Sequence, residues 1–285
     1  MMHAALREMM TGLIDYAGLF PPAKLPLDAA LRNWHEYQAG PDAWMLGRFI
    51  LPAARMPELT DVGGGMAVSA LGRGGTDAAS FAEGLKADVA DIEACRARLG
   101  PRVTIDVLEV KPPAGVAVDL APARAAGLRV FLEQPAGQEP SIRAGEGTGL
   151  KIRTGGLEPS AFPTPRALAW SLAWAARTGT PFKATAGLHH PFPIHDAHVG
   201  ARMFGFINVF LAGLMLARGG LTEADAEEML TAPATDFTQD DSHITWRGKW
   251  ALDIDGIRAG RMLMTSFGSC SFDEPRDDLR ALGWM

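Results

Sequence analysis

Six ionisable side chains alternate with apolar ones along four short segments: Leu108-Glu109-Val110-Lys111, Val130-Phe131-Leu132-Glu133, Leu150-Lys151-Ile152-Arg153 and Phe182-Lys183-Ala184-Thr185. In a parallel strand of an α/β barrel, alternate side chains point inward and outward, and the outward set must be apolar because helices cover it. That phase turns Glu109, Lys111, Glu133, Lys151, Arg153 and Lys183 into the barrel, with Thr185 beside them. Unpaired buried charges are costly, so six on neighbouring strands require partners, water or a ligand. Four are cations and two are anions, so the expectation is a cavity with surplus positive charge that an anionic substrate, or a developing enolate or alkoxide, would neutralise. A lysine crowded by other cations releases its proton more easily, which frees an amine to attack a carbonyl.

A second concentration follows the Lys183 segment. Four of the seven histidines fall within His189-His190-Pro191-Phe192-Pro193-Ile194-His195-Asp196-Ala197-His198. The loops after barrel strands form the active face, so His189 and His190 are expected at the same mouth as Lys151 and Lys183, in acid–base or orienting roles. Read as the first turn of a helix from about His195 to Arg218, the segment puts His195 and His198 on one face. With His189 and Asp196 they form a candidate site for a divalent metal.

Three further segments contribute candidates. Asp15, in Leu13-Ile14-Asp15-Tyr16-Ala17, shares the inward phase, and Leu19-Phe20-Pro21-Pro22 after it reads as an apolar wall or a stiff turn. Thr154-Gly155-Gly156 is a small-residue loop whose backbone N–H groups suit an anion. Thr265-Ser266-Phe267-Gly268-Ser269-Cys270 offers Ser266 and Ser269 to a substrate, while Asp273 and Glu274 beyond it read as helix-capping acids that repel phosphate.

Lys151-Ile152-Arg153-Thr154-Gly155, followed 32 residues after its lysine by Lys183-Ala184-Thr185-Ala186-Gly187, resembles the paired lysine strands of Schiff-base aldolases of the deoxyribose-phosphate aldolase type. The resemblance implies that Lys151 forms an imine with a carbonyl substrate, that Lys183 is its activating neighbour, and that no cofactor is required. Arg153 stands where that family carries a small hydroxyl residue. The family's inward Asp on the fourth strand has no counterpart in phase, because Asp106 points the other way and Glu109 must serve. Separately, Glu109-Val110-Lys111-Pro112 resembles the Glu-x-Lys-Pro stretch of xylose-isomerase-type barrels, which implies a metal-dependent isomerase or hydrolase using Glu109, Glu133 and the histidine loop. A ligand-binding barrel without catalysis is the third reading.

The elements that must position these residues repeat as strand, loop and helix. Eight strands are expected near residues 13–17, 48–51, 66–70, 103–111, 129–133, 150–154, 181–186 and 262–267. The clearest helix runs from Asp77 to Leu99, with Phe81, Leu85, Val89, Ile92, Cys95 and Leu99 on one face, and another opens on Thr164 and Pro165. Gln134 to Gly149 shows little helical pattern. A helix over Thr222–Leu230 and a hairpin from Ile244-Thr245-Trp246 to Trp250 form an insertion at about 221–252, which otherwise serves as a subunit contact. The expected fold is α/β, a (β/α)8 TIM-type barrel occupying residues 1–285 as one domain with an inserted helix and hairpin before strand 8.

Composition narrows the partners. The 285 residues are 47% hydrophobic and 21% charged, with a net charge of −6 and no long Lys/Arg run. Neither nucleic acid nor a membrane surface is indicated, and a small anionic substrate is favoured. Cys95 and Cys270 are too few and too far apart for a disulfide framework or thiolate metal site. With no basic-then-apolar leader, the expected location is cytoplasmic, and homo-oligomerisation is left open.

Overall fold

The computed structural model describes residues 2–60, 62–140 and 147–285. Its strands are β1 (Ile14–Tyr16), β2 (Leu46–Pro52), β3 (Met66–Leu71), β4 (Val103–Val110), β5 (Arg129–Gln134), β6 (Thr148–Arg153) and β7 (Phe182–Thr185). There follow a ribbon of β8 (Ile194–Asp196) and β9 (Ala201–Met203), an antiparallel sheet of β10 (Phe237–Gln239), β11 (His243–Trp246) and β12 (Trp250–Asp253), and finally β13 (Met264–Ser269). Strands β1 to β7 and β13 are parallel and close into an eight-stranded barrel in the order β1-β13-β7-β6-β5-β4-β3-β2. The chain is an α/β barrel of the TIM type.

The helices are α1 (Ala4–Met10), α2 (Leu27–Ala39), α3 (Ala78–Leu99), α4 (Ala121–Ala125), α5 (Pro165–Thr178), α6 (Phe206–Ala217), α7 (Glu223–Met229), α8 (Ile254–Arg261) and α9 (Asp273–Ala281). The outward phase read from alternation is the observed one. Leu108, Val110, Val130, Leu132, Leu150, Ile152, Phe182 and Ala184 are all at most 2% exposed. Fully burying each such side chain stabilises the fold by about 1.5–3 kcal/mol, which is what commits the intervening charges to the interior. Helix α3 starts where Asp77 accepts a hydrogen bond from Ser80 N at 2.8 Å, and α5 where Thr164 Oγ1 accepts one from Ala167 N at 3.2 Å. Between β5 and β6 no helix occurs among the described residues, and residues 141–146 of that connection lie outside them.

One expectation is corrected and another is extended. The helix expected from His195 begins only at Phe206, because Pro191, Pro193 and the left-handed Gly200 (φ +71) fold the preceding segment into the β8–β9 ribbon. His195 and His198 therefore lie on a ribbon and its turn, and both are exposed. In the insertion, the expected helix and hairpin are present, but β10 adds a third strand and α8 returns the chain to β13. Trp246 is fully buried and packs 4.7 Å from Trp250 within this satellite sheet.

Among the described residues no helix is long and apolar enough to cross a membrane. The most apolar helix, α6, carries Asn208, whose amide donates to Met229 O at 2.6 Å and Ala232 O at 2.9 Å and so ties α6 to the end of α7.

Candidate functional site

The register sets Lys151 on β6 level with Lys183 on β7 and with Glu133 on β5. Glu109 on β4 joins the two lysines. Its Oε2 lies 2.8 Å from Lys151 Nζ, and its Oε1 lies 2.6 Å from Lys183 Nζ and accepts from Ser69 Oγ at 2.6 Å. Lys183 also pairs with Asp15 on β1, whose Oδ1 accepts from Arg48 N at 2.6 Å and whose Oδ2 accepts from Ser266 Oγ at 2.8 Å. Glu133 Oε2 stands 3.2 Å from Lys151 Nζ. Residues from β1, β3, β4, β5, β6, β7 and β13 thus meet in one buried network.

The expected surplus of positive charge is not what forms. Asp15 enters the network as a third carboxylate, Lys111 is exposed and lies outside the cavity, and Arg153 sits at the exposed rim. The network holds three carboxylates against two ammonium groups, an excess of one negative charge. Alternation gives the direction of a side chain but not its depth. Lys111, just past the end of β4, has already left the barrel.

Burial alone would lower the pKa of Lys183, but the Asp15 and Glu109 carboxylates overcome it and hold the pKa above the ordinary lysine value. Burial would likewise raise Glu109, and Lys151 and Lys183 instead hold it well below the usual carboxylate range. Lys183 is therefore a fixed cation beneath the site.

Above the network opens a cavity of about 250 Å³. Glu109, Glu133 and Lys151 form its floor. Arg153, Thr185 and His189 supply polar groups higher up, and Phe20, Pro22, Ile50, Leu71 and Leu157 supply apolar wall. Lys151, only 4% exposed overall, is the one lysine lining it among the described residues. Lys183 and Asp15 instead border a small cavity of about 40 Å³ on the N-terminal side, with Arg48, Arg129 and Phe131. Asp106 also lies toward that side, at an irregularity in the β3–β4 register, where Arg48 binds it at 2.8 Å.

Several other expected substrate contacts do not line the main cavity. Ser266 is spent on Asp15, and Ser269 Oγ donates to Ser271 O at 2.6 Å. His190 Nδ1 pairs with Asp278 at 2.5 Å. Gly155 packs against Gly187, and Gly156 reaches the cavity in its place.

Gly155 and Gly187 account for the glycines that end both lysine segments. A Cβ on Gly187, at φ +75, would stand 2.7 Å from Gly155 Cα, and one on Gly155 would stand 2.8 Å from Gly187 Cα. Neither backbone can retreat without moving the tips of β6 and β7. Gly187→Ala is expected to cost about 1–3 kcal/mol of stability, measured by urea denaturation; an unchanged midpoint would show that the tips do not need this contact.

The histidines separate. His189 lines the cavity, and its Nδ1 lies 2.9 Å from Glu274 Oε2 on α9. His195 and His198 do not line it, and the Asp196 carboxylate accepts from His198 N and Val199 N at 2.7 and 3.1 Å. Among the described residues no group of three or more His, Cys, Asp or Glu side chains is placed to hold a metal ion. His189, His195, Asp196 and His198 therefore do not gather into the expected metal site, because the ribbon replaces the helical turn that would have aligned them.

Ser69 and Glu274 belong to the site without having been singled out for it. A lone hydroxyl at an inward position of Met66-Ala67-Val68-Ser69-Ala70 was the available signal for Ser69. Glu274 was legible only as a helix-capping acid.

Comparison of the chain with protein-family models, curated proteins and solved structures finds no match in any of the three.

Proposed function

We propose that the chain is a lyase of the aldolase kind that forms an imine between Lys151 and a small anionic carbonyl compound. The observation that supports this most strongly is the setting of Lys151. It is a buried amine open to the cavity and flanked by carboxylates at 2.8 and 3.2 Å. Preorganised negative charge on both sides stabilises positive charge at that nitrogen, and an iminium carries its charge there. Glu133, with its side chain 19% exposed, accepts the proton that Lys151 gives up on attack and returns it when the carbinolamine loses water. Glu109 is held between the lysines and stays ionised as the iminium's counter-charge. Lys183 keeps Glu109 in place and does not reach substrate.

The substrate class follows from the walls. Arg153 borders the cavity and makes no ion pair among the described residues, so its guanidinium is available to a carboxylate or phosphate on the carbonyl compound. Phe20, Pro22, Ile50 and Leu71 leave apolar surface for a short carbon chain.

Borohydride reduction in the presence of pyruvate, acetaldehyde or dihydroxyacetone phosphate tests the reading by peptide mass mapping. The expected result is the mass of one reduced adduct on Lys151. Protein that stays unlabelled with all three, or is labelled only on other lysines, removes the imine. A thermal shift without labelling indicates a binding barrel.

A further inference from the structure

At the cavity rim, two histidine–carboxylate pairs share helix α9. His189 Nδ1 meets Glu274 Oε2 at 2.9 Å, and His190 Nδ1 meets Asp278 Oδ2 at 2.5 Å. Glu274 Oε1 also stands 4.0 Å from His190 Nε2. The arrangement is fixed from both sides. The left-handed Ala186 (φ +60) and Gly187 turn the chain out of β7, and Phe206 N and Ile207 N at the start of α6 donate to His190 O and Pro191 O, each at 3.0 Å. Ser271 Oγ accepts from Glu274 N at 3.1 Å, which holds the first turn of α9.

An ionised carboxylate only accepts hydrogen bonds, and the bond from His189 holds the Glu274 pKa below the ordinary glutamate value. The proton of a neutral His189 ring therefore sits on Nδ1, and Nε2 is left as an acceptor. His189 lines the cavity with its side chain 14% exposed, while Glu274 lies behind it.

We propose that His189 is the catalytic acid–base for the oxygen farthest from Lys151, and that Glu274 is a positioning residue that sets its tautomer and aim. This rests on the imine reading and divides the proton transfers by depth. Glu133, 3.2 Å from Lys151 Nζ, serves the atoms next to the imine nitrogen. The oxygen that becomes an aldehyde is three bonds beyond the imine carbon, toward the mouth where His189 stands. In the cleavage direction, Nε2 takes the proton of that hydroxyl and the O–H electron pair becomes the carbonyl. The carbon–carbon bonding pair then moves to form the enamine and neutralises the iminium. The enamine is next protonated on carbon by a solvent proton delivered through Glu133, the imidazolium proton leaves to solvent at the mouth, and water hydrolyses the imine to release the second carbonyl compound. Condensation runs the same steps backwards, with imidazolium protonating the new alkoxide.

Pyruvate, the smallest ketone with a carboxylate for Arg153, is the probe, with acetaldehyde as acceptor. Three readings on the full chain separate the steps: borohydride trapping at Lys151, exchange of the pyruvate methyl protons in deuterium oxide, and carbon–carbon bond formation. In His189→Gln the Lys151 adduct and the methyl exchange are expected to persist while condensation falls by about 10²-fold or more. Glu274→Ala should lower kcat by a comparable factor with little change in KM, and Glu274→Asp should recover part of it. Nitrogen-15 spectra of His189 should show the Nδ1-protonated ring in the unaltered chain and lose that form in Glu274→Ala. Undiminished condensation in His189→Gln, or an Nε2-protonated ring in the unaltered chain, overturns this proposal alone. Failure of the unaltered chain to trap any of pyruvate, acetaldehyde and dihydroxyacetone phosphate at Lys151 overturns the imine reading beneath it.

Discussion

Replacing Lys183 by Met is expected to lower the unfolding free energy by about 3–5 kcal/mol, the cost of stranding a buried partner charge. Asp15 and Glu109 would then face one another at 1% side-chain exposure without the cation they share. Urea denaturation of the full chain measures the loss, and the double variant Lys183→Met/Asp15→Asn should recover part of it by removing one carboxylate. An unchanged midpoint in the single variant would mean that the network does not hold the barrel together.

The pH dependence follows from the directions of the shifts. Lys183 has a folded pKa raised above its unfolded value, so its contribution is present below about pH 10.4 and is lost as pH rises through the folded value. Glu109 has a folded pKa below its unfolded value, so its contribution is present above about pH 4.3 and is lost as pH falls toward the folded value. Stability should therefore be flat between these limits as far as this pair is concerned. The acid limb should be shallower in Lys183→Met, where Glu109 keeps only one cation.

Lys151→Met is expected to abolish the borohydride adduct and lower pyruvate methyl exchange by about 10⁴-fold or more, since loss of a covalent nucleophile removes the route itself. Lys151→Arg should do the same while keeping a positive charge, because guanidinium does not form the imine. Circular dichroism of both variants shows whether the barrel is retained. Exchange at the original rate in a folded Lys151→Arg protein would assign the chemistry elsewhere. The contrast with Lys183→Met is diagnostic, one variant losing chemistry and the other stability.

Much of this barrel was legible in the chain. Alternation in Leu108-Glu109-Val110 and Leu150-Lys151-Ile152 sets the inward phase locally, and burial of the apolar set enforces it. Thr164-Pro165 and Asp77 mark helix starts by chemistry that acts within a few residues. What was not legible depends on position along the barrel axis and on contacts distant in sequence. Lys111 and Arg153 share the inward phase with Lys151, yet one is outside the cavity and the other at its rim, so counting inward charges gave the wrong sign. Glu274 meets His189 across 85 residues, and no local pattern announces such a pair. The β8–β9 ribbon was missed because His195-Asp196-Ala197-His198 has helical spacing, while Gly200 and the prolines decide its course.

The network also bears on how the chain reaches its fold. Asp15 lies near one end of the sequence and Ser266 near the other, and both meet Lys183 or its partners only when β1 and β13 join. Until that seam zips, Asp15 stays in water and Lys183 has only Glu109 as a carboxylate partner, so the cluster cannot complete its dehydration. Assembly should accordingly be all-or-none, with no long-lived half-barrel and with a nucleus that waits on contacts of high sequence separation.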